Sequence, residues 1–219
     1  MTKDKKIAVI LSGSGVFDGS EIHEATMTLY AIMKQGASYQ IFAPDIDQQH
    51  VVNHITGEEM KEKRNVLIES ARIARGDIKN LKDFRAEDFD GLIMPGGFGA
   101  AKNLSTFAFD GADCQVNGEV ENALRAMADQ DKPVGALCIS PVIVAKIFGD
   151  LKLTIGQDAD TAQAIEKMGA THQKTDHGEV VVDPNHKVVT SPCYMLDANI
   201  LNIAEGADNA VQSMLELMD

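Results

Sequence analysis

Three short runs, Lys6–Ser12 (KIAVILS), Asp90–Pro95 (DGLIMP) and Pro133–Cys138 (PVGALC), constrain this chain more than any other feature. Each is continuously apolar at its centre rather than alternating, and each stops at a glycine, proline or cysteine turn. Strands buried on both faces read this way, because neither side of the sheet meets water. Between the runs lie stretches of helical period: Glu21–Lys34, Asn65–Arg75, and Asn117–Asp129, where Val120, Leu124 and Met127 share one face. Strand alternating with helix over 219 residues predicts one α/β domain covering residues 1–219. Its sheet should be mostly parallel, with helices on both sides.

The remaining segments fit that plan. Tyr39–Pro44 reads as a further strand, and His50–Arg64 as an irregular decoration of the rim. Glu179–Asp183 (EVVVD) and Lys187–Thr190 (KVVT) flank Pro-Asn and predict a hairpin at an edge. Asp197–Met218 places Ile200, Ile203, Ala207, Val211, Met214 and Met218 at helical spacing, as a helix covering the sheet requires.

Charge and composition exclude several function classes. Twenty Lys and Arg against 33 Asp and Glu give a net charge of −13, a field that repels phosphate backbones and anionic lipid surfaces. Nucleic acid and membrane are therefore not expected partners. The apolar part of MTKDKKIAVIL is shorter than a signal peptide needs, and Pro133–Phe148 is too short and too interrupted to cross a bilayer. Cys114, Cys138 and Cys193 form no CxxC and are odd in number, which fits free thiols in a reducing, cytoplasmic setting.

Ligands gather at the carboxyl ends of parallel strands, so the residues just after the three best strands matter most. After the third, Cys138 turns into Ile139-Ser140-Pro141 and a helix, the position of an exposed nucleophile on a strained bend. A helix N-terminus beneath a thiol favours the thiolate, and the Ile139 amide faces any oxyanion formed there. A small buried hydrophobe is the other reading of Cys138. Pro95-Gly96-Gly97 could bring a second amide, that of Gly97, to the same spot. After the first strand come Glu21, His23 and Glu24, with Ser20 placed to cap the helix. A carboxyl raised by burial could shuttle protons to Cys138; Glu21 fits a capping role better than Glu24 does.

Other motifs fall short. Gly13-x-Gly15 has Asp18 where the third glycine of a dinucleotide fingerprint belongs, and no P-loop lysine follows any glycine-rich turn. His50 and His54 stand four apart without the glutamate of HExxH, so they read as surface residues. His172, His177 and His186 lie near the hairpin as exposed loop histidines or a distant base. Cys193 follows the hairpin and reads as packing or a resolving thiol, and Cys114 receives no role.

The segments LSGSGVFDGSEIHEA, NHITGE, RNVLIESARIARG, MPGGFGAAKNLS, CISPVIVAKIF, LTIGQDADTA and VVTSPCYML, taken in order, are similar to an isoprenoid-biosynthesis-associated branch of the PfpI-like, class I glutamine amidotransferase-like superfamily. The resemblance spans nearly the whole chain. It implies a flavodoxin-like, three-layer αβα sandwich with a nucleophile elbow, and a homodimer. It implies Cys138 as nucleophile and a first-helix glutamate beside it, Glu24 by position with Glu21 second. It implies Gly97 and Ile139 as oxyanion amides, and a glutathione-independent glyoxalase turning glyoxal into glycolate.

Such a reaction takes a small dicarbonyl substrate and needs neither redox cofactor nor metal, since hydrogen moves between neighbouring carbons. The histidine that many relatives carry directly after the nucleophile is Ile139 here, and the place where others supply one from the next strand is taken by Gly156. His177 is the substitute in sequence. Two other functions follow from the same cysteine: a non-catalytic redox-sensing or interaction protein with an oxidisable Cys138, and amide hydrolysis with a partner, which needs a nearby histidine.

Overall fold

Ile7, Ala8, Val9 and Ile10 have no exposed surface, and they form the strand around which everything else is laid. The structure, a computed structural model, describes residues 5–218. In chain order its elements are β1 (Lys6–Ile10), α1 (Ile22–Lys34), β2 (Ser38–Ala43), α2 (Val66–Ile73), β3 (Ile78–Asn80), β4 (Gly91–Met94), α3 (Phe98–Lys102), α4 (Phe107–Asp110) and α5 (Gly118–Asp129). There follow β5 (Val134–Leu137), α6 (Pro141–Phe148), β6 (Lys152–Leu153), α7 (Ala159–Lys167), β7 (Thr171–His172), β8 (Val181–Asp183), β9 (Val188–Ser191) and α8 (Ile200–Glu216).

Seven strands make one sheet in the order β3-β2-β1-β4-β5-β9-β8, parallel except for β8. The expected hairpin is present: β8 runs antiparallel to β9 and forms an edge. Helix α1 packs on α8 and α2, while α5 packs on β4, β5 and α6, so helices cover the sheet on both sides. This is the α/β architecture expected. Strand order reverses between β1 and β4, and at such a switch point adjacent loops part to leave a crevice. The carboxyl ends of β1, β4 and β5 therefore open side by side.

The helices begin where side chains satisfy their free amides. Asn65 accepts from the Ile68 amide at 3.0 Å, and Asn117 accepts from those of Glu119 and Val120 at 2.9 and 3.3 Å. Val120, Leu124 and Met127 are fully buried, as their spacing predicts. The last helix starts later than expected, because Asn199 accepts from the Leu201 and Asn202 amides in a capping box. Ile200 is consequently a first-turn residue and is exposed, whereas Ile203, Ala207, Val211 and Met214 are buried.

Helices α3, α4 and α7 and the short strands β3, β6 and β7 are absent from the expectations. All but α7 run to five residues or fewer, too short for hydrophobic period to register, and α7 buries only Ile165, so its sequence carries little apolar face. Among the described residues no helix is long and apolar enough to cross a membrane.

Candidate active site

Strand β5 ends at Leu137, and Cys138 turns the chain directly into α6 with φ of +59°. A left-handed conformation costs a non-glycine residue roughly 1–3 kcal/mol, so surrounding contacts must hold it. They do: the Cys138 amide donates to Ser191 O on β9 at 2.9 Å, and Ser140 Oγ donates to Pro95 O at 2.8 Å. Ser140 escaped the sequence reading, although a small hydroxyl residue before Pro141 at the elbow was visible.

The loop after β4 fits against this bend only because it carries two glycines. A Cβ on Gly96 would fall onto Cys138 Cβ and lie 2.6 Å from Glu24 Oε2. Gly97, with φ of +99°, has no room for a Cβ against Gly19 O and the Glu21 amide. The same loop is laced to the segment after β1: Glu21 N–H donates to Gly96 O, Phe98 N–H to Val16 O, and Gly99 N–H to Gly19 O, at 2.8–2.9 Å. Asn103 completes the lacing, its Nδ2 donating to both Ser12 O and Asp18 O at 2.9 Å.

Glu24 is fully buried and faces Cys138. Its Oε2 accepts from the Gly96 amide at 2.9 Å, and its Oε1 accepts from the Tyr194 amide at 3.0 Å. Burial pushes the Glu24 carboxyl up to about 7 despite those two amides, with Glu21 adding in the same direction. Glu21 accepts from the Glu24 amide at 2.7 Å and is the cap of α1. Ser20, expected as the cap, is instead buried and accepts from the Ser12 amide at 2.9 Å.

Cys138 differs from expectation in one electrostatic respect. Burial raises its thiol well above the ordinary value, the neighbouring Glu24 charge raises it further, and the Gly97 amide opposes both. The helix N-terminus beneath it does not overcome desolvation, so the resting group is a thiol hydrogen-bonded to Glu24 rather than a free thiolate.

The structure thus brings Cys138, Glu24, Glu21, Gly97, Ile139 and Cys193 together. Cys193, also left-handed at φ of +44°, is buried beside the Cys138 amide and in the field of Glu24, which with burial raises its thiol as well. His177 is not brought in: it sits on the turn after Asp176, its ring 3.9 Å from that carboxylate. His186 caps against Asp183 at 3.2 Å, and His172 lies in β7. Sequence reasoning missed Tyr194, whose amide holds Glu24 and whose hydroxyl meets His23 Nδ1 at 2.9 Å. The signal was its place just past the carboxyl end of β9. Among the described residues no group of three or more His, Cys, Asp or Glu is placed to hold a metal ion.

Cys138 and Ile139 open on a cavity of about 480 Å³, whose wall includes Gly97, Phe98 and Tyr194. The arrangement can present a sulfur, a carboxyl near neutrality and amide donors to one small carbonyl compound.

A parallel sheet with a buried glutamate against a strained cysteine elbow defines a class I glutamine amidotransferase-like α/β protein. The chain belongs to the DJ-1/PfpI family, whose model matches residues 5–197. It is 47% identical to a rat protein, ES1 protein homolog, mitochondrial, over 97% of this chain and 84% of that one. It is 46% identical to the human glutamine amidotransferase-like class 1 domain-containing protein 3, mitochondrial, over 97% of this chain and 83% of that one. A solved structure from Ehrlichia chaffeensis, an isoprenoid biosynthesis protein with amidotransferase-like domain, superposes with a TM-score of 0.90 at 36% identity, covering 96% of this chain and 99% of that one. Glyoxalase III from Candida albicans shares the fold, with a TM-score of 0.64 at 16% identity over 98% of each chain. The cytoplasmic expectation is corrected by these relatives, because the rat and human proteins are mitochondrial by name.

Proposed function

We propose that this chain is a glutathione-independent glyoxalase of the ElbB type, converting glyoxal and small 2-oxoaldehydes to glycolate and the corresponding 2-hydroxy acids. The observation that carries the proposal is Glu24, a buried carboxyl near neutrality, hydrogen-bonded to the Cys138 thiol at the wall of a cavity. A proton shuttle works best when its pKa lies near the operating pH, and burial supplies that here.

The chemistry balances with these groups alone. As Cys138 sulfur adds to one aldehyde carbon, the thiol proton passes to Glu24 and the carbonyl oxygen becomes an alkoxide facing the Gly97 and Ile139 amides. Glu24 returns that proton to the oxygen, leaving a neutral hemithioacetal. It next takes the hydrogen from the same carbon, forming an enediolate; the hydroxyl proton passes from the oxygen of that carbon to the neighbouring oxygen, and Glu24 delivers its proton to the neighbouring carbon as the first oxygen closes to a carbonyl. The product is a thioester of the 2-hydroxy acid. Water cleaves its C–S bond, giving the acid and regenerating the thiol. One carbon is oxidised as its neighbour is reduced, and water is the sole co-reactant.

Two features support this reading over the others. A redox sensor is best served by a low-lying thiol, whereas burial raises both Cys138 and Cys193. Amide hydrolysis leans on a histidine at the sulfur, and among the described residues of the cavity wall there is none. The homodimer and the isoprenoid connection belong to the same proposal and rest on resemblance.

Glycolate formation from glyoxal, followed for wild type and Cys138→Ser, tests the proposal. Abolished turnover in a variant that keeps its melting temperature is expected; unchanged turnover overturns it.

A further inference from the structure

We propose that the Tyr194 hydroxyl, positioned by His23, is the hydrogen-bond donor for the second carbonyl oxygen of the substrate. The assignment rests on the glyoxalase reading and concerns the one developing charge in that reaction that neither the elbow amides nor Glu24 meets.

That charge arises when Glu24 takes the hydrogen from the carbon bonded to sulfur. The C–H electron pair moves into a carbon–carbon double bond, and the neighbouring carbonyl pair moves onto its oxygen. The oxygen on the sulfur-bearing carbon faces the Gly97 and Ile139 amides, and Glu24, having taken the hydrogen, is neutral. The second oxygen lies farther from the sulfur, in a cavity whose wall there is largely apolar: Val16, Phe98, Ala101 and Phe107. An anionic oxygen without a donor in such surroundings is costly, and a fixed donor lowers the barrier.

Among the described residues of the wall, two side chains carry a hydroxyl, Thr161 and Tyr194. Thr161 gives its hydroxyl and its amide, the latter at 2.8 Å, to Asp158 and so holds that carboxyl below the ordinary range. A negative oxygen there would face a like charge and a hydroxyl already engaged.

Tyr194 stands on the Glu24 side. Its amide donates to Glu24 Oε1 at 3.0 Å, and its hydroxyl lies 2.9 Å from Nδ1 of His23, the residue before Glu24 on α1. Consecutive residues of one helix therefore fix both ends of the tyrosine. Burial, with the charges of Glu21 and Glu24, pushes the half-buried phenol up, so it keeps its proton and remains a donor. His23 supplies the complementary half. With its hydrogen on Nδ1 it donates to the phenol oxygen and leaves the O–H free to turn to the substrate, each bond strengthening the next. The imidazole is exposed, so water carries the change of tautomer.

Tyr194→Phe removes the hydroxyl and keeps the ring and the amide. With glyoxal its kcat should fall at least about tenfold and up to about 10³-fold, with KM within about threefold of wild type and the melting temperature unchanged. His23→Ala should lower kcat several-fold on its own and add nothing in the Tyr194→Phe background, and His23→Asn, whose side-chain amide can take the place of Nδ1, should return most of the loss. Glyoxal deuterated on both carbons should show an isotope effect on kcat at least as large in Tyr194→Phe as in wild type, because the slowed step moves that hydrogen. A kcat for Tyr194→Phe within about twofold of wild type, or a smaller isotope effect, overturns the assignment and leaves the glyoxalase reading standing. His23→Ala equally costly in both backgrounds overturns the positioning role of His23. Absence of glyoxal turnover in wild type removes the glyoxalase reading and this assignment with it.

Discussion

Glu24 Oε1 accepts from the Tyr194 amide at 3.0 Å, joining the first helix to the turn after β9 across 170 positions of sequence. The other carboxyl oxygen is held by Gly96 at 2.9 Å, so one side chain ties together the ends of three chain segments. Its position against Cys138 is set by backbone donors, not by flexible side chains.

Substitution of Glu24 should separate chemistry from stability. Glu24→Gln can satisfy only one of the two amides, since its NH₂ group faces the other, and leaving that donor unmade costs about 1–3 kcal/mol. The loss of the proton shuttle should lower kcat by roughly 10²–10⁴-fold. Glu21→Gln removes no group that the proposed chemistry uses and should lower kcat much less. Turnover and thermal melts of both variants check this; the reverse order of kcat would move the shuttle to Glu21.

The same carboxyl predicts a pH dependence with a definite sign. Activity should rise as pH passes about 7 and Glu24 ionises. Stability runs the other way. The folded value of about 7 lies above the ordinary 4.5, so the native state keeps a proton that the unfolded chain releases. The stabilisation is fully present below about 4.5 and is lost as pH rises through about 7, on the order of 3 kcal/mol in total. Chemical denaturation of wild type and Glu24→Gln across pH 5–8 should show this component of the slope in wild type alone.

Gly96→Ala should disable the site without touching a reacting group. The new Cβ would collide with Cys138 Cβ and crowd Glu24 Oε2, and neither can yield while the elbow and both amides keep their bonds. A loss of about 1–3 kcal/mol in stability is expected, together with a fall in turnover of at least tenfold. A crystal structure of the variant should show the sulfur or the carboxyl displaced.

Asn103→Leu should be among the more damaging changes far from the sulfur. Asn103 donates to Ser12 O and Asp18 O and accepts from the Gln49 amide at 3.0 Å, and it is buried. Removing it orphans the Ser12 and Asp18 carbonyls in a buried setting at roughly 1–3 kcal/mol each, and frees the part-buried Gln49 amide, partly offset by the apolar replacement. Urea unfolding should place the loss at about 2–5 kcal/mol.

The continuous apolar runs and the helical stretches between them determined the layered α/β plan, because burial on both faces of a parallel strand leaves its mark residue by residue. The bend at Cys138 and the close approach of the glycine pair after β4 were likewise legible, since a strained strand-to-helix turn and a tight backbone contact each demand particular residue types at fixed places. The protonation of Cys138 was not legible. A helix start in sequence points to a thiolate, but desolvation and the Glu24 charge are properties of the packed neighbourhood, and they raise the thiol instead. Tyr194, the exclusion of His177 and the apolar cavity were equally decided by tertiary structure. Each depends on loops from the ends of different strands meeting at the β1/β4 reversal, and a strand's own residues carry no record of which loops its neighbours bring there.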